Sequence, residues 1–216
     1  MNFSIVEHEQ RSPEWFKARC GRLTGSLASD MLDFLRNGGD GYKRRDLRAR
    51  LVVERLTGEP QEDGYTNAVM QRGIDKEPDA FAAYEGQSGN LVRRTGFITH
   101  NSLMVGCSLD GDVDDFAGIV ELKCPKSATH LSYLESKALP ENHRPQVLHN
   151  MWVTGAHWCD FVSFDDRFPE ALQLFVVRLE RTPALQIEIN GYEKLVLEFL
   201  AQIDEKVGRL SGAVAA

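Results

Sequence analysis

The stretch from Val105 to Lys126, V-G-C-S-L-D-G-D-V-D-D-F-A-G-I-V-E-L-K-C-P-K, constrains this chain more than any other. It reads as a strand ending at Asp110, a tight turn rich in Asp and Gly, and a second strand closed by Pro125. Side chains two apart on a strand share a face, so Glu121 and Lys123 point the same way and Leu122 points to the other side. Asp110 can join them across the hairpin. Two carboxylates and an amine brought to one point suit a hard divalent cation and a water that must be oriented or deprotonated.

The length and composition fit one globular domain, at most with an appendage: 216 residues, 42% hydrophobic and 26% charged. No apolar run is long enough to span a bilayer, and the start M-N-F-S-I-V-E-H-E-Q lacks the charged-then-apolar pattern of a signal peptide. The expectation is a cytosolic protein. Cys20, Cys107, Cys124 and Cys159 contain no C-x-x-C pair and lack the tight late grouping that an iron–sulfur cluster needs, so they read as buried thiols.

The net charge of −7 runs against nucleic-acid binding, but the charge is uneven. Arg11 to Arg22 holds four basic residues against one acidic, and Arg36 to Arg55 holds seven against three. From Asp160 to the end there are ten acidic residues against six basic. The N-terminal clusters read as a path for phosphates. The acidic tail reads as solvated helix surface.

Ser12-Pro13-Glu14 predicts a helix start, with Gly21 as the stop near Cys20. A second helix is expected over L-A-S-D-M-L-D-F-L, capped by Thr24 or Ser26. Its N-terminus would offer free N–H groups to an anion, with Arg19 beside it. A long basic helix should follow and close at Gly58. Next comes a helix from a Thr66 cap to Gly86, kinked or divided at Pro78. Residues 90–99, 103–109 and 118–124 read as a β-meander. Ser127 should cap a helix ended by Pro140, and His143 to Thr154 should form another. W-C-D-F-V-S-F and L-Q-L-F-V-V-R-L-E read as two mostly buried strands, and a last helix runs from about Pro183 to Leu210 before a frayed tail. Trp15, Trp152 and Trp158 read as core. The order predicts an α/β (α+β) fold, a mixed sheet with helices on both faces.

Within this frame Asp110 and Glu121 are candidate metal ligands, the Leu122 backbone carbonyl a third, and Asp110 a possible bridge between two ions. Lys123 would orient or deprotonate the attacking water, its pKa lowered beside the ions. Asp112, Asp114 and Asp115 read as turn residues. D-x(n)-E-x-K is short and arises by chance; on two strands, followed by C-P and a helix, it is far less common.

These segments, with P-Q-V-L-H-N-M-W-V-T-G later on, resemble the lambda-exonuclease (YqaJ-like viral recombinase) family of PD-(D/E)XK nucleases. S-P-E-W-F-K-A-R-C-G-R-L-T-G-S is similar to that family's E-W…R-x-G-x-I-T-A-S segment, and Q-R-G-I-D-K-E-P-D-A to its G-x-x-x-E motif. The resemblance spans residues from about 11 to 180 with the motifs in order. It implies a restriction-endonuclease-like core, a central mixed β-sheet flanked by helices, with residues 1–216 as one nuclease domain. It implies a 5′→3′ exonuclease that uses Mg²⁺ (two ions, with Mn²⁺ as a substitute) on double-stranded DNA ends. Such an enzyme leaves 3′ overhangs for a single-strand annealing recombination protein and works as a homotrimeric ring. A phage or prophage gene acting in the bacterial cytoplasm is the expected setting.

By this resemblance Asp110 and Glu121 match the metal ligands, Lys123 the catalytic lysine, and Glu77 the helical glutamate near the site. Gln146 matches the glutamine that positions the water. Arg19, Thr24 and Ser26 match the segment that grips the 5′ phosphate. His143 falls where a lambda-type enzyme has an aromatic residue and takes no role. Leu109 replaces the proline of the "PD" pattern, a change of backbone shape and not of chemistry. An endonuclease or junction resolvase on the same core, or a non-catalytic DNA-end binding module, are the alternatives.

Overall fold

The computed structural model describes residues 2–61 and 67–214. In chain order it builds β1 (Phe3–Val6), α1 (Pro13–Arg19), β2 (Leu23–Thr24), a 3-10 turn over Gly25–Leu27 leading into α2 (Ala28–Met31), α3 (Tyr42–Thr57) and α4 (Ala68–Ser88). Then follow β3 (Phe97–His100), β4 (Val105–Ser108), β5 (Gly111–Val113), β6 (Gly118–Lys123), α5 (Ser127–Ser136), α6 (Arg144–Thr154), β7 (Trp158–Phe164), β8 (Leu174–Glu180) and α7 (Pro183–Val214). The strands form two four-stranded sheets, ordered β1-β3-β4-β2 and β5-β6-β7-β8. Each is mixed, with β2 parallel to β4 and β6 parallel to β7. The mixed α/β class expected from the sequence is what forms. The meander, however, is interrupted. The chain leaves the first sheet after β4 and enters the second at Gly111, so Leu109 and Asp110 lie at the crossing. Within 90–96 the ladder is reduced to an isolated bridge between Arg93 and Asp112.

Helix boundaries follow local chemistry. Ser12 accepts the Trp15 amide at 3.1 Å and Pro13 opens α1, as the sequence predicts. The second helix is far shorter than expected. After Met31 the chain turns, and Asp33 is spent on the next element: its carboxylate accepts the Lys43 amide at 2.9 Å and its carbonyl the Gly41 amide at 2.8 Å. A polar side chain that captures backbone donors competes with helix continuation. Asn67 caps α4 through the amides of Val69 and Met70; Thr66, the expected cap, lies outside the described residues. Pro78 sits within a continuous α4, which passes Gly86 and stops at Gly89, where φ is 73°. That left-handed turn is cheapest for glycine, so Gly89 and not Gly86 is the stop. At α5 the cap position is Lys126, while the Ser127 hydroxyl donates to Asp165 at 2.7 Å. The helix ends at Ser136, ahead of Pro140, and α7 runs on to Val214, past the expected end at Leu210.

Two apolar layers enclose β6. Ile119 joins a core with Leu51, Val147, Met151 and Phe199, which packs α3, α6 and α7 on one side. Val120 and Leu122 join Phe81 and Tyr84 of α4 on the other. Burial of each such large side chain contributes about 1.5–3 kcal/mol. A strand covered on both faces reads as a continuous apolar run, and Glu121 interrupts it while only 1% exposed.

The basic cluster of α3 is not an open track for phosphates. Arg44 is buried and bonds Met31 O and Asp40, Arg48 bonds Asp40 and Gln202, Arg50 bonds Glu54, and Arg55 bonds Gly21 O and Asp204. These arginines fasten α3 to its neighbours. Trp15 is buried, and Trp152 packs against the core, as expected.

Asp165, fully buried, joins β7 to α4 and α5. It accepts from Arg72 at 3.0 Å, from Ser127 at 2.7 Å, and from Arg167 through two nitrogens at 2.7 and 2.8 Å. Burial works to raise its pKa, but the hydrogen bonds from Arg167 and Ser127 outweigh it and hold the carboxyl below the usual range. A depressed folded-state pKa gives stability that is present above the unfolded value, near ~3.9, and lost as pH falls through the folded one. Asp165→Asn should cost about 3 kcal/mol at pH 7, and the gap should narrow toward pH 2. Urea melts at a series of pH values measure this; a gap independent of pH would contradict it.

Candidate active site

Asp110 stands where the chain crosses between the sheets, and its Oδ2 accepts the Leu122 amide at 2.6 Å. N–H and C=O of one strand residue point toward the same edge. The Leu122 carbonyl is therefore on Asp110's side of β6, beyond the end of the β5–β6 ladder. Glu121 shares the face of Ile119, beneath α6. One of its oxygens is in contact with Lys123 Nζ, and the other accepts from Asn150 Nδ2 at 3.1 Å. Lys123 Nζ is 3.9 Å from Asp110 Oδ2. Asp110, Glu121 and Lys123 thus come together as the strand pattern predicts.

Glu77, on α4, lines the same cleft of about 430 Å³ as Asp110, Leu122 and Lys123, with Tyr133 and His143 on the far wall. Arg94 Nη1 is 3.4 Å from Glu77 Oε2. Burial, and then the charge of Asp110, raise the Glu77 pKa. Burial raises Glu121 to about 7, opposed by Lys123 and reinforced by Asp110. For Lys123 burial favours the neutral amine, yet the charges of Glu121 and Asp110 prevail and raise its pKa. The protein groups therefore hold Lys123 as an ammonium; the lowered pKa expected from the sequence is an effect of neighbouring metal ions, which these groups do not include. In this state it is a donor and countercharge. His143 is half-buried, within 3.2 Å of the Tyr133 hydroxyl, and lowered to about 4 by burial and then by Lys123.

Among the described residues no three Asp, Glu, His or Cys side chains converge as a metal cluster. The donor set is two carboxylates and one carbonyl, all hard oxygens. That fits Mg²⁺, which keeps much of its water and is bound through one or two carboxylates. The four cysteines are free thiols, three of them buried.

The second group of candidates gathers beside the C-terminal end of β4, two residues ahead of Asp110 in the chain. Arg19 is 8% exposed, stacks 4.2 Å from the Trp15 ring, and bonds the hydroxyls of Ser108, Thr24 and Ser26 at 3.3, 3.4 and 3.3 Å. Thr24 and Ser26 are therefore not helix caps. The helix after them is a single turn, so the expected anion site at a helix N-terminus gives way to a guanidinium ringed by hydroxyls. Ser108 escaped the sequence reading, although its place two residues before Asp110 on one strand was visible.

Gln146 lies on α6 with its Cγ close to Gly25, in the segment between Thr24 and Ser26. Asn150, one turn further along the same face, was not singled out from the sequence. The signal was its i+4 spacing from Gln146. Next to it, His149 fixes α6. Its Nε2 donates to the Gly106 carbonyl at 3.0 Å, so Nδ1 accepts from the Tyr192 hydroxyl at 2.8 Å, and burial lowers its pKa to about 4.

Residues 14–157 match the model of the YqaJ-like viral recombinase domain. No curated protein sequence matches the chain at a significant level. Among solved structures, an alkaline exonuclease (LHK-Exo) from Laribacter hongkongensis is 36% identical, with a TM-score of 0.81 over 94% of this chain and 98% of that one. A structure of LHK-Exo in complex with dAMP matches equally well. A phage related exonuclease from Haemophilus somnus 129PT is 16% identical, with a TM-score of 0.63 over 86% of this chain and 96% of that one, a likeness of fold.

An oxyanion of phosphate type should bind the Arg19 pocket. Sulfate at a hundredfold excess over its dissociation constant should stabilise the protein by about 2.7 kcal/mol. In Arg19→Met, which keeps a side chain against Trp15, that gain should vanish. Melting temperatures with and without sulfate measure it, and an equal gain in both proteins would contradict the pocket.

Proposed function

Because the chain belongs to the YqaJ-like viral recombinase family, we propose that it is a Mg²⁺-dependent exonuclease. It removes nucleotides in the 5′→3′ direction from one strand of a double-stranded DNA end and leaves a 3′ overhang. Family membership and the likeness to an alkaline exonuclease over nearly the whole chain support a DNA exonuclease. The observation that carries the finer reading is the pairing of two sites on one strand end: the Arg19 pocket closed by Ser108, and Asp110 two residues on. A 5′ phosphate held by Arg19, Thr24 and Ser26 would set the terminal phosphodiester toward Asp110, Glu121 and Lys123. The product would be a deoxynucleoside monophosphate, the class of compound bound in the LHK-Exo complex.

Each residue then has a task. Arg19 offers a planar fork to phosphate oxygens. Asp110, Glu121 and the Leu122 carbonyl would hold Mg²⁺ or Mn²⁺, with Asp110 shared by a second ion. Such ions stabilise charge on the phosphoryl oxygens and supply a nucleophilic water near neutral pH. Lys123, as an ammonium, would meet the charge that develops on the phosphate and orient the water, and Glu77 and Gln146 would complete that water's surroundings. Residues 1–216 would act as one nuclease domain, three copies closing a ring around the duplex. The overhang would pass to a single-strand annealing protein, in the bacterial cytoplasm and from a phage or prophage gene. Among the described residues no helix is long and apolar enough to cross a membrane.

End-labelled linear duplex digested with Mg²⁺ should lose label from the 5′ end first and accumulate 3′ single strands. Cutting of covalently closed circles would overturn the exonuclease reading in favour of an endonuclease. Lys123→Ala should lower the rate by at least about 10²-fold with folding intact. Arg19→Ala should abolish the preference for 5′-phosphorylated over 5′-hydroxyl ends. Light scattering should give three times the monomer mass, and activity should fall steeply with salt.

A further inference from the structure

On the reading that Glu121 holds a cation, we infer that Asn150 is a positioning residue that fixes this carboxylate and ties it to the Thr24–Ser26 segment through Gly25. Asn150 is 1% exposed on α6 and donates Nδ2–H to Glu121 Oε2 at 3.1 Å. A carboxylate only accepts, so the amide nitrogen must face Glu121 and the amide oxygen must face away. That oxygen is buried, and among the described residues it meets no donor. It lies instead against Gly25, where a methyl group would overlap it.

An unsatisfied buried acceptor costs about 1–3 kcal/mol. Leucine or methionine in its place would avoid that cost but could not bond Glu121. Asn150 cannot step back, because its neighbour His149 is bonded on both ring nitrogens to Gly106 and Tyr192. Gly25 cannot step forward, because Thr24 is paired into the sheet beside Gly106. Here glycine opens the space that the asparagine oxygen fills. The hydroxyls of Thr24 and Ser26 and the carboxylate of Glu121 are thus held in register by one side chain, packed between two elements that have no slack.

Two substitutions separate this role from simple packing. Cation binding is read by titrating Mn²⁺ alone and following free Mn²⁺ by electron paramagnetic resonance; melting in EDTA confirms that each variant is folded. Asn150→Ala should weaken Mn²⁺ binding about 10- to 100-fold, the usual effect of removing a group that orients a metal ligand. Gly25→Ala, which touches no candidate ligand, should weaken it as well by displacing Asn150. The double variant Gly25→Ala/Asn150→Ala should be no weaker than Asn150→Ala, because the new methyl then has room. Wild-type affinity in Asn150→Ala, or additive losses in the double variant, would overturn the assignment. A wild-type protein that binds no Mn²⁺ would overturn the nuclease reading, and this assignment with it.

Discussion

One hydrogen bond holds the arrangement together: the Leu122 amide donating to Asp110. Asp110 belongs to the connection between the sheets, and Leu122 to a central strand of the second sheet. The bond satisfies a strand donor beyond the reach of the short β5 and ties the connection between the sheets to the edge of β6. It also fixes a carboxylate beside Glu121 and Lys123, and it turns the Leu122 carbonyl to the same edge. Alanine at 110 would remove a carboxylate and leave a strand amide to find another partner.

The face shared by Glu121 and Lys123 was legible because a strand alternates faces every residue. Asp110 does come close to them, but by the crossing between the two sheets and not by the expected hairpin between β4 and β6. The α6 boundaries and the strand β7 were equally plain, whereas β8 starts at Leu174 and, at the sheet edge, is largely half-exposed rather than buried. What could not be read depended on partners far off in sequence. β2 is two residues long and exists because β4 lies beside it. The break between the sheets has no local signature. Thr24 and Ser26 looked like caps, since hydroxyls before an apolar run usually are, and Arg19 claimed them instead. The arginines of α3 looked like a phosphate track for the same reason: composition reports charge, but not whether the charge is already paired.

The electrostatics of the cleft also resist reading from sequence. Two acids and a lysine on a strand pattern suggest a site, but the state of each depends on burial. Glu121 is driven up by desolvation, while Lys123 is held charged by the very acids it accompanies. The pairing of Asn150 with Glu121 adds a neutral donor where another cation would compete with a metal. The Arg19 pocket is built on the opposite plan: a full charge surrounded by hydroxyls and aromatic rings, which stabilise it without excluding an incoming anion.

The double cover of β6 has a consequence for how this protein can change. Glu121 is a carboxylate forced into a strand position that suits valine or isoleucine, and its raised pKa means that it gives up its proton more reluctantly folded than unfolded. Ionising it therefore costs stability progressively as pH rises from its ordinary range to about 7, and in full above that. The apolar layers from α4 on one side and α6 on the other must carry that load. Mutational drift that thins either layer reaches the point of unfolding sooner here than in a scaffold with no buried acid. A valine or isoleucine in place of Glu121 would relieve that load, and would leave the cleft without this carboxylate.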